Sequence, residues 1–255
     1  MNARSRGWEA AADTVERVAR LAGVVTSPGG IEAIRRTRPF SVAAFRLVEG
    51  LSVDGADYRT IVDVGANIGQ FSAAALIRWP DASVIAFEPL AHVASRLRET
   101  VAGSPNSEVH VAAVGSQDGS TQFHPHPYSL SSSVLATTAG AKRTFQWAAE
   151  EPPVEVKLVR LDTVLGGWRP ARPALLKIDV QGYEREVLNG ATETLRSVDA
   201  IVIEQSFERF YDDQGLFTET DGLLRSLGWH LVRPLDWRRE GGRVVELDCL
   251  YARDG

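Results

Sequence analysis

The feature that most constrains the fold is a run of small residues, Asp63-Val64-Gly65-Ala66-Asn67-Ile68-Gly69. It follows the apolar residues 60–62 and precedes a helix-forming sequence that begins at Gln70. Glycine adopts positive φ without strain, and asparagine is one of the few other residues that tolerate it. The run therefore predicts a buried strand that turns sharply into a helix. The free N–H groups and positive dipole end of that helix would face a ligand at the turn.

The spacing of residues around this turn distinguishes between classes of nucleotide ligand. The dinucleotide fingerprint G-x-G-x-x-G requires glycine at 65, 67 and 70, but this chain has Asn67 and Gln70. The pattern acid-x-Gly-x-x-x-Gly is satisfied instead, starting at Asp63, and a second acid, Glu88, ends the apolar run 83–87. An acid about 20 residues beyond such a turn lies where a doubly wound sheet binds the ribose hydroxyls of adenosine. We therefore expect an adenosine-type cofactor that is not a dinucleotide, with its ribose on Glu88.

Further motifs follow the turn along the chain. They are Ala86-Phe87-Glu88-Pro89, Ala112-Ala113-Val114-Gly115, Ser131-Ser132-Ser133, Arg160-Leu161-Asp162-Thr163, Lys177-Ile178-Asp179-Val180-Gln181-Gly182-Tyr183-Glu184 and Val187-Leu188-Asn189-Gly190-Ala191. In this order, over residues 59–253, the chain resembles the FkbM-type family of S-adenosylmethionine-dependent methyltransferases. Many methyltransferases share the glycine turn, whereas the 177–184 block is much more specific to this family. The resemblance implies methyl transfer to a hydroxyl group of a sugar, glycolipid, polysaccharide or polyketide-type acceptor.

The same resemblance implies S-adenosyl-L-methionine as the cofactor. The residues expected to bind it come from the glycine turn and from the ends of neighbouring strands: Asp63, Gly65, Ala66, Asn67, Gly69, Glu88, Pro89, Ala113 and Asp179. Methyltransferases that act on amino groups, such as the adenine and glutamine enzymes, carry Asn/Asp-Pro-Pro-Tyr/Phe after the fourth strand. This chain has Asp179-Val180-Gln181-Gly182 at that position, which favours an oxygen atom as the methyl acceptor.

Strand and helix patterns alternate from residue 59 onward. Apolar runs predict strands at 60–64, 83–88, 108–114, 174–180, 199–205, 229–234 and 244–252. Helices are expected near 69–79, 90–102, 183–196 and 217–227. This alternation predicts an α/β fold with a doubly wound, Rossmann-like methyltransferase sheet that is mostly parallel. The short connection at 239–242 requires a hairpin, so the C-terminal strand should be antiparallel.

Residues 1–58 precede this repeat and belong to no strand–helix unit. Apolar residues recur at helical spacing over 8–22, and 31–53 is helical in pattern on either side of Pro39. We expect an N-terminal helical cap over the cleft or a homodimer contact, with simple packing on the sheet as the alternative. The methyltransferase domain would then span 59–255.

An insertion at 115–173 interrupts the repeat. Its first part is rich in Ser, His and Pro, and it ends with a strand-like run at 154–159. Insertions of this length in a compact fold are commonly lids or substrate walls, so we expect His124, His126 and Ser131 to Ser133 to lie near the cleft. For each histidine, a surface position without a catalytic role is the alternative.

Three acids are the candidate catalytic residues: Asp179 and Glu204 at the ends of adjacent predicted strands, and Glu184 in the helix after the first of them. Methyl transfer requires an acceptor oxygen held in line with the methyl group, and its proton must be removed. These carboxylates could accept the proton directly. Alternatively, Asp179 and Glu204 could bind Mg²⁺ or Ca²⁺, which prefer oxygen ligands. For Glu184 the alternative is a stabilising charge in the first turn of a helix. Lys177 lies inside an apolar strand and needs an acidic partner, since an unpaired buried ammonium is costly.

Composition limits the expected partners and cell compartment. With 33 Asp and Glu against 28 Lys and Arg, the net charge is −5, which disfavours a nucleic-acid partner. A single cysteine fits a reducing compartment, and no apolar run is long enough to span a membrane. We therefore expect a cytoplasmic enzyme with a small-molecule or glycan acceptor. Two other functions stay open: a nucleotide-dependent oxidoreductase, which Asn67 and Gln70 disfavour, and a non-catalytic binding module that keeps the fold.

Overall fold

A central β-sheet organises the computed structural model, which describes residues 22, 24–26, 31, 34, 39–104, 106–126, 132–138 and 151–253. The strands are β1 (Thr60–Val64), β2 (Ser83–Phe87), β3 (Glu108–His110), β4 (Ala113–Val114), β5 (Gly119–Phe123), β6 (Val154–Val159), β7 (Ala174–Ile178), β8 (Ala200–Ser206), β9 (His230–Glu240) and β10 (Arg243–Ala252). The helices are α1 (Val42–Ser52), α2 (Gln70–Arg78), α3 (Ala91–Val101), α4 (Leu161–Val164), α5 (Glu184–Asn189), α6 (Thr194–Ser197) and α7 (Phe217–Ser226).

Seven strands form the main sheet in the order β3-β2-β1-β7-β8-β10-β9. Its pairs are parallel except those of β10, which runs antiparallel to both β8 and β9. Gly241 and Gly242 connect β9 to β10, and both have the positive φ that a two-residue hairpin turn requires. The predicted doubly wound sheet with an antiparallel C-terminal strand is therefore confirmed. This order brings the carboxyl ends of β1, β2, β7 and β8 to one edge.

Helices and their apolar side chains cover both faces of the sheet. Ile61 belongs to a core cluster with α1, α2 and α3, whereas Val62 and Val64 belong to a cluster with α5, α6 and α7. Successive strand residues point to opposite faces, so central strands that are covered on both sides read as continuous apolar runs. All residues of β1 and β7 are accordingly buried. The carboxyl edge of these strands is where a ligand can approach them.

Two elements that the sequence predicts as continuous are each split into two in the structure, so both predictions are wrong. The strand expected at 108–114 ends at His110, and β4 pairs instead with β6 in a separate three-stranded sheet, β4-β6-β5. The apolar pattern is local and cannot show that the chain changes sheets. The helix expected at 183–196 stops at Asn189, and α6 begins at Thr194. The break occurs where Gly190 packs so closely against the backbone of Gly115 that a Cβ would collide with its carbonyl oxygen.

The N-terminal segment and the insertion both approach the carboxyl edge. Helix α1 is capped by Ser41, whose Oγ accepts the N–H of Ala44 at 3.3 Å, and it contacts α2 and β9. Residues 8–21 of the first predicted helix lie outside the described part of the chain. In the insertion, residues 132–138 connect by isolated bridges to His124 and Tyr211, while 127–131 and 139–150 lie outside the described residues. No helix in the described ranges is long and apolar enough to cross a membrane.

Candidate active site

The turn after β1 allows the backbone of two strands to meet. Gly65 has φ +76°, and a Cβ at this position would collide with the carbonyl oxygen of Asp179. Asn67 continues the turn with φ +51°. Gly69 has φ +91°, and a Cβ there would press against Leu97 and Thr100 of α3. Gly65 thus allows the end of β1 to meet the backbone after β7, and Gly69 allows α3 to pack on the turn.

Glu88 joins the tip of β2 to this turn. Its Oε2 accepts the N–H of Asn67 at 3.1 Å, and its Oε1 accepts the N–H of Leu90 at 2.9 Å. The side chain is buried, and burial raises the pKa of Glu88 to about 7, although both hydrogen bonds act in the opposite direction. Each carboxylate oxygen has a further lone pair, so Glu88 can still accept hydrogen bonds from ligand hydroxyls.

A first cavity opens between the turn, the tip of β2 and the start of the insertion. Most residues expected to bind the cofactor line it: Gly65, Asn67, Glu88, Pro89, Ala113 and Asp179. Apolar walls come from Phe87, Leu90, Val114 and Val134. The cavity therefore combines apolar walls with the carboxylate of Glu88, a lining typical of a small-molecule site.

Asp63 and Ala66 lie elsewhere than expected. The Asp63 carboxylate is fully buried, accepts a hydrogen bond from Ser72 Oγ at 2.6 Å and lies 3.4 Å from Lys177 Nζ. Held from both sides beneath the turn, Asp63 lines neither cavity and pairs with Lys177. Its direct contact with the cofactor stays a prediction. Ala66 lines a second cavity, on the other side of the turn.

This second cavity has a volume of about 480 Å³ and lies beneath α1. Helix α1 contributes Ala43, Ala44 and Leu47 to its wall, and β8, β9 and β10 contribute acids and an arginine. His126 lines it, as expected, whereas His124 is bridged to Ser133 and lines neither cavity. The two cavities share four residues: Gly65, Asn67, Asp179 and Gln181. They therefore meet beside the Asp179 carboxylate and the Gln181 amide.

Gln181 occupies this junction, and sequence reasoning did not single it out. Its Nε2 donates to Asp179 Oδ1 at 3.0 Å and to Glu204 Oε2 at 2.7 Å, and its Oε1 accepts from Tyr211 Oη at 3.0 Å. The backbone carbonyl oxygen of Gln181 accepts a hydrogen bond from Ser133 Oγ at 2.6 Å. The residue has φ +54°, a strained conformation for glutamine that persists only where surrounding contacts hold it. In sequence, a glutamine followed by glycine is typical of a solvent-exposed turn. Only the tertiary contacts show that Gln181 connects the two acids.

Lys177 fixes Asp179 from the opposite side. Its Nζ lies 3.3 Å from Asp179 Oδ2 and 3.4 Å from Asp63 Oδ1, so the expected acidic partner is confirmed. Burial alone would lower the pKa of Lys177, but the charges of Asp179 and Asp63 raise it above its ordinary value. The lysine therefore stays charged, and Asp179 is held between an ammonium and an amide.

Glu184 is buried and shapes the loop that carries Gln181. Its Oε1 accepts the N–H groups of Val180 at 3.2 Å and Gly182 at 3.0 Å. Burial raises the pKa of Glu184 to about 7 against these hydrogen bonds. Glu184 lines neither cavity, so its contacts are those of a loop-positioning residue.

The expected divalent cation finds no support in the donor set. One oxygen of Asp179 and one of Glu204 accept from the same Gln181 amide, and Lys177 pairs with the other Asp179 oxygen. Among the residues that the structure describes, no group of three or more His, Cys, Asp or Glu side chains could hold a metal ion.

Comparisons with known proteins agree with this geometry. Residues 63–231 match the model of the methyltransferase FkbM domain. The chain is 32% identical over 201 residues to the 31-O-demethyl-FK506 methyltransferase FkbM of Streptomyces tacrolimicus, covering 69% of this chain and 74% of that protein. It is 29% identical over 161 residues to the 2-O-methyltransferase NoeI of Sinorhizobium fredii, covering 60% and 66%. It is also 29% identical over 143 residues to the hexuronic acid methyltransferase AglP of Haloferax volcanii, covering 56% and 54%.

The matched part thus spans little more than half of the Haloferax protein and about two thirds of the Sinorhizobium protein. The family match is independent of these lengths, because it covers most of the strand–helix repeat, from the end of β1 into β9. The glycine turn, Glu88 and the whole 177–184 block fall inside it. The chain belongs to the FkbM methyltransferase domain family.

Proposed function

We propose that the protein is an S-adenosylmethionine-dependent O-methyltransferase, with the cofactor in the first cavity and the acceptor in the second. The observation that carries this proposal is that the two cavities meet only beside residues they share, among them Asp179 and Gln181. A methyl group on a sulfonium at this junction would face an acceptor oxygen in the second cavity. In-line displacement needs this arrangement.

The described residues of the first cavity fit the cofactor. Glu88 would accept the ribose hydroxyls, and the amino-acid end would lie beside Gly65 and Asp179, which both line this cavity. When bound, the sulfonium supplies an electrophilic methyl group. The chain itself then has to orient the acceptor oxygen and accept its proton.

The second cavity supports a hydroxylated acceptor. Its wall contains carboxylates, a histidine and aromatic rings, which together suit a polyhydroxylated ring. The names of the relatives include a hexuronic acid enzyme, a 2-O-methyltransferase and an FK506 enzyme. We infer an acceptor hydroxyl on a sugar, glycolipid, polysaccharide or polyketide-type molecule. Asp179 would orient this hydroxyl and Glu204 would accept its proton, with Glu184 acting indirectly through the 180–182 loop.

The test of the proposed activity uses methyl-labelled S-adenosylmethionine and a panel of hydroxylated acceptors. The panel contains nitrophenyl glycosides of neutral hexoses, hexuronides and a hydroxylated macrolactone, and mass spectrometry detects methylated product. At least one acceptor should gain a methyl group on oxygen. Binding of reduced nicotinamide dinucleotide without any methyl transfer would favour the oxidoreductase instead.

A matched pair of variants tests the cofactor site separately. Glu88→Ala should weaken binding of S-adenosylhomocysteine by about 1–3 kcal/mol, because charge-assisted hydrogen bonds to the ribose are lost. Glu108→Ala removes an exposed acid from the neighbouring strand β3 and should leave the affinity unchanged. Titration calorimetry measures both, and equal affinities in the two variants would refute the assignment of Glu88.

A further inference from the structure

Asp248 of β10 lies directly opposite Glu204 of β8. The register of β8 and β10 pairs the Cα atoms of the two residues. Directly opposed side chains on antiparallel strands project on the same face with Cβ atoms about 4.5–5.5 Å apart. Both residues line the second cavity. The antiparallel return of β10 therefore brings two carboxyl groups together in the acceptor wall.

The polar contacts around this pair leave most of its oxygens available. Glu204 Oε2 accepts from the Gln181 amide at 2.7 Å, which fixes the orientation of that carboxyl group. Within the described ranges, neither the Asp248 carboxylate nor Glu204 Oε1 takes part in a hydrogen bond or ion pair. These oxygens are free to interact with an acceptor.

The charged groups that surround the pair come from every element packed against it. The acids are Asp179 after β7, Glu184 of α5, Asp236 of β9 and Glu246 of β10. The other titratable groups are Lys177 of β7, Arg238 of β9, Tyr211 and His126. Lys177 forms ion pairs with Asp63 and Asp179, and Arg238 forms ion pairs with Glu240 and Glu246. Among the described residues, neither cation lies within ion-pair distance of Glu204 or Asp248, although the charge of Lys177 acts to lower the pKa of Asp248.

Two adjacent carboxylates in a half-buried wall that holds further acids do not both ionise readily. In keeping with this, burial and then the charge of Asp179 raise the pKa of Glu204 well above its ordinary value. Burial, again followed by Asp179, raises the pKa of Asp248 to about 7. Such a pair titrates as a unit and keeps one proton near neutral pH.

We propose that Glu204 and Asp248 form a carboxyl pair that shares one proton, and that this pair takes the proton of the acceptor hydroxyl during methyl transfer. The inference rests on the proposed function. In the reaction, the acceptor oxygen forms a bond to the methyl carbon while the carbon–sulfur bond breaks, and its electron pair stays on sulfur as a neutral thioether. The hydroxyl proton moves to the ionised carboxylate of the pair. Both carboxyl groups are then protonated, and the pair releases one proton to solvent.

The first test detects the shared proton without using activity. Carbon-13 carboxyl NMR on protein with labelled aspartate should show Asp248 titrating near pH 7, with the signal assigned by its loss in Asp248→Asn. In Glu204→Gln the midpoint of Asp248 should fall by at least one pH unit. An unchanged midpoint in Glu204→Gln would overturn the shared proton.

The second test follows turnover against pH with an acceptor from the panel. Asp248→Asn and Glu204→Gln should each lower the plateau kcat at least about 100-fold and move the acid limb, while the affinity for S-adenosylhomocysteine stays within twofold. Asp236→Asn is the matched control, because Asp236 also lies opposite Asp248 but outside the cavity wall. It should keep the plateau. A wild-type plateau and acid limb in Asp248→Asn would overturn the inference, whereas absence of methyl transfer by the wild type would overturn the proposed function as well.

Discussion

At the scale of single residues, the site depends on one position where no side chain fits. Gly65 combines positive φ with direct contact to the Asp179 backbone, so a Cβ would push apart the ends of β1 and β7. Gly55 also has positive φ, +71°, but a Cβ there meets nothing within 4 Å. A substitution at Gly55 would therefore cause backbone strain alone, whereas one at Gly65 would add a steric collision.

The first residue-scale prediction uses this pair. Gly55→Ala should cost about 1–2 kcal/mol, the penalty for a left-handed alanine. Gly65→Ala should cost a further 1–3 kcal/mol or so from overpacking, and it should also abolish measurable binding of S-adenosylhomocysteine. Urea unfolding and calorimetry measure the two effects. Equal stabilities and retained binding would show that β7 can shift away at little cost.

At the scale of elements, several family motifs serve to position helices and strands. Asp162 accepts the N–H groups of Glu193 and Thr194 at the start of α6, and these hydrogen bonds lower its pKa although burial acts to raise it. Gly190 allows α5 to end against Gly115. These motif residues therefore hold α5 and α6 against β4 and α4, away from the shared residues of the two cavities.

Helix α1 provides the element-scale prediction, since it covers the acceptor cavity but not the cofactor cavity. Ala43 is exposed at the cavity wall, and Ala43→Phe would fill part of the space for the acceptor. Acceptor KM should rise at least about tenfold while the affinity for S-adenosylhomocysteine stays unchanged, because only one of the two binding steps is blocked. Steady-state kinetics and calorimetry measure these quantities.

Val53→Phe is the control for this substitution. Val53 follows the same helix, is 73% exposed and lines neither cavity. It should leave both constants unchanged. If Ala43→Phe behaved like Val53→Phe, the acceptor would have to bind away from α1.

At the scale of the whole molecule, the buried acids of the site affect stability. Glu88, Glu184 and Asp248 each have a pKa raised to about 7, and that of Glu204 is also raised, with burial as the largest cause in every case. An acid whose pKa is higher in the folded than in the unfolded state favours folding most below its unfolded pKa. That contribution is lost as pH rises through the folded pKa.

We therefore expect the free energy of unfolding of the ligand-free protein to fall between about pH 5 and pH 8. Glu184→Gln keeps an Oε1 acceptor for Val180 and Gly182 but cannot ionise, so this fall should be smaller by about 1–3 kcal/mol. Glu99→Gln changes an exposed acid of α3 and should leave the slope unchanged. Urea titrations at several pH values measure the slopes, and identical slopes for Glu184→Gln and the wild type would contradict the linkage.

Sequence alone determined the features that depend on local pattern. The period of apolar residues located the strands, the small residues at 63–69 predicted the turn, and spacing placed Glu88 at the tip of β2. A lysine in an apolar strand required an acidic partner because an unpaired buried ammonium is costly. These inferences succeeded because each follows from a few consecutive residues and the sheet they build.

Tertiary structure decided which distant residues meet. Strand order and the register of β10 brought Asp248 opposite Glu204, although the two are far apart in the chain. Local pattern also could not show that Asp63 points beneath the turn or that the chain changes sheets after His110. Gln181 joins both acids because Ser133 holds its left-handed backbone and Tyr211 holds its side-chain amide, from segments on either side of it in the sequence. Neighbours across strands depend on register and topology, and no local periodicity encodes these.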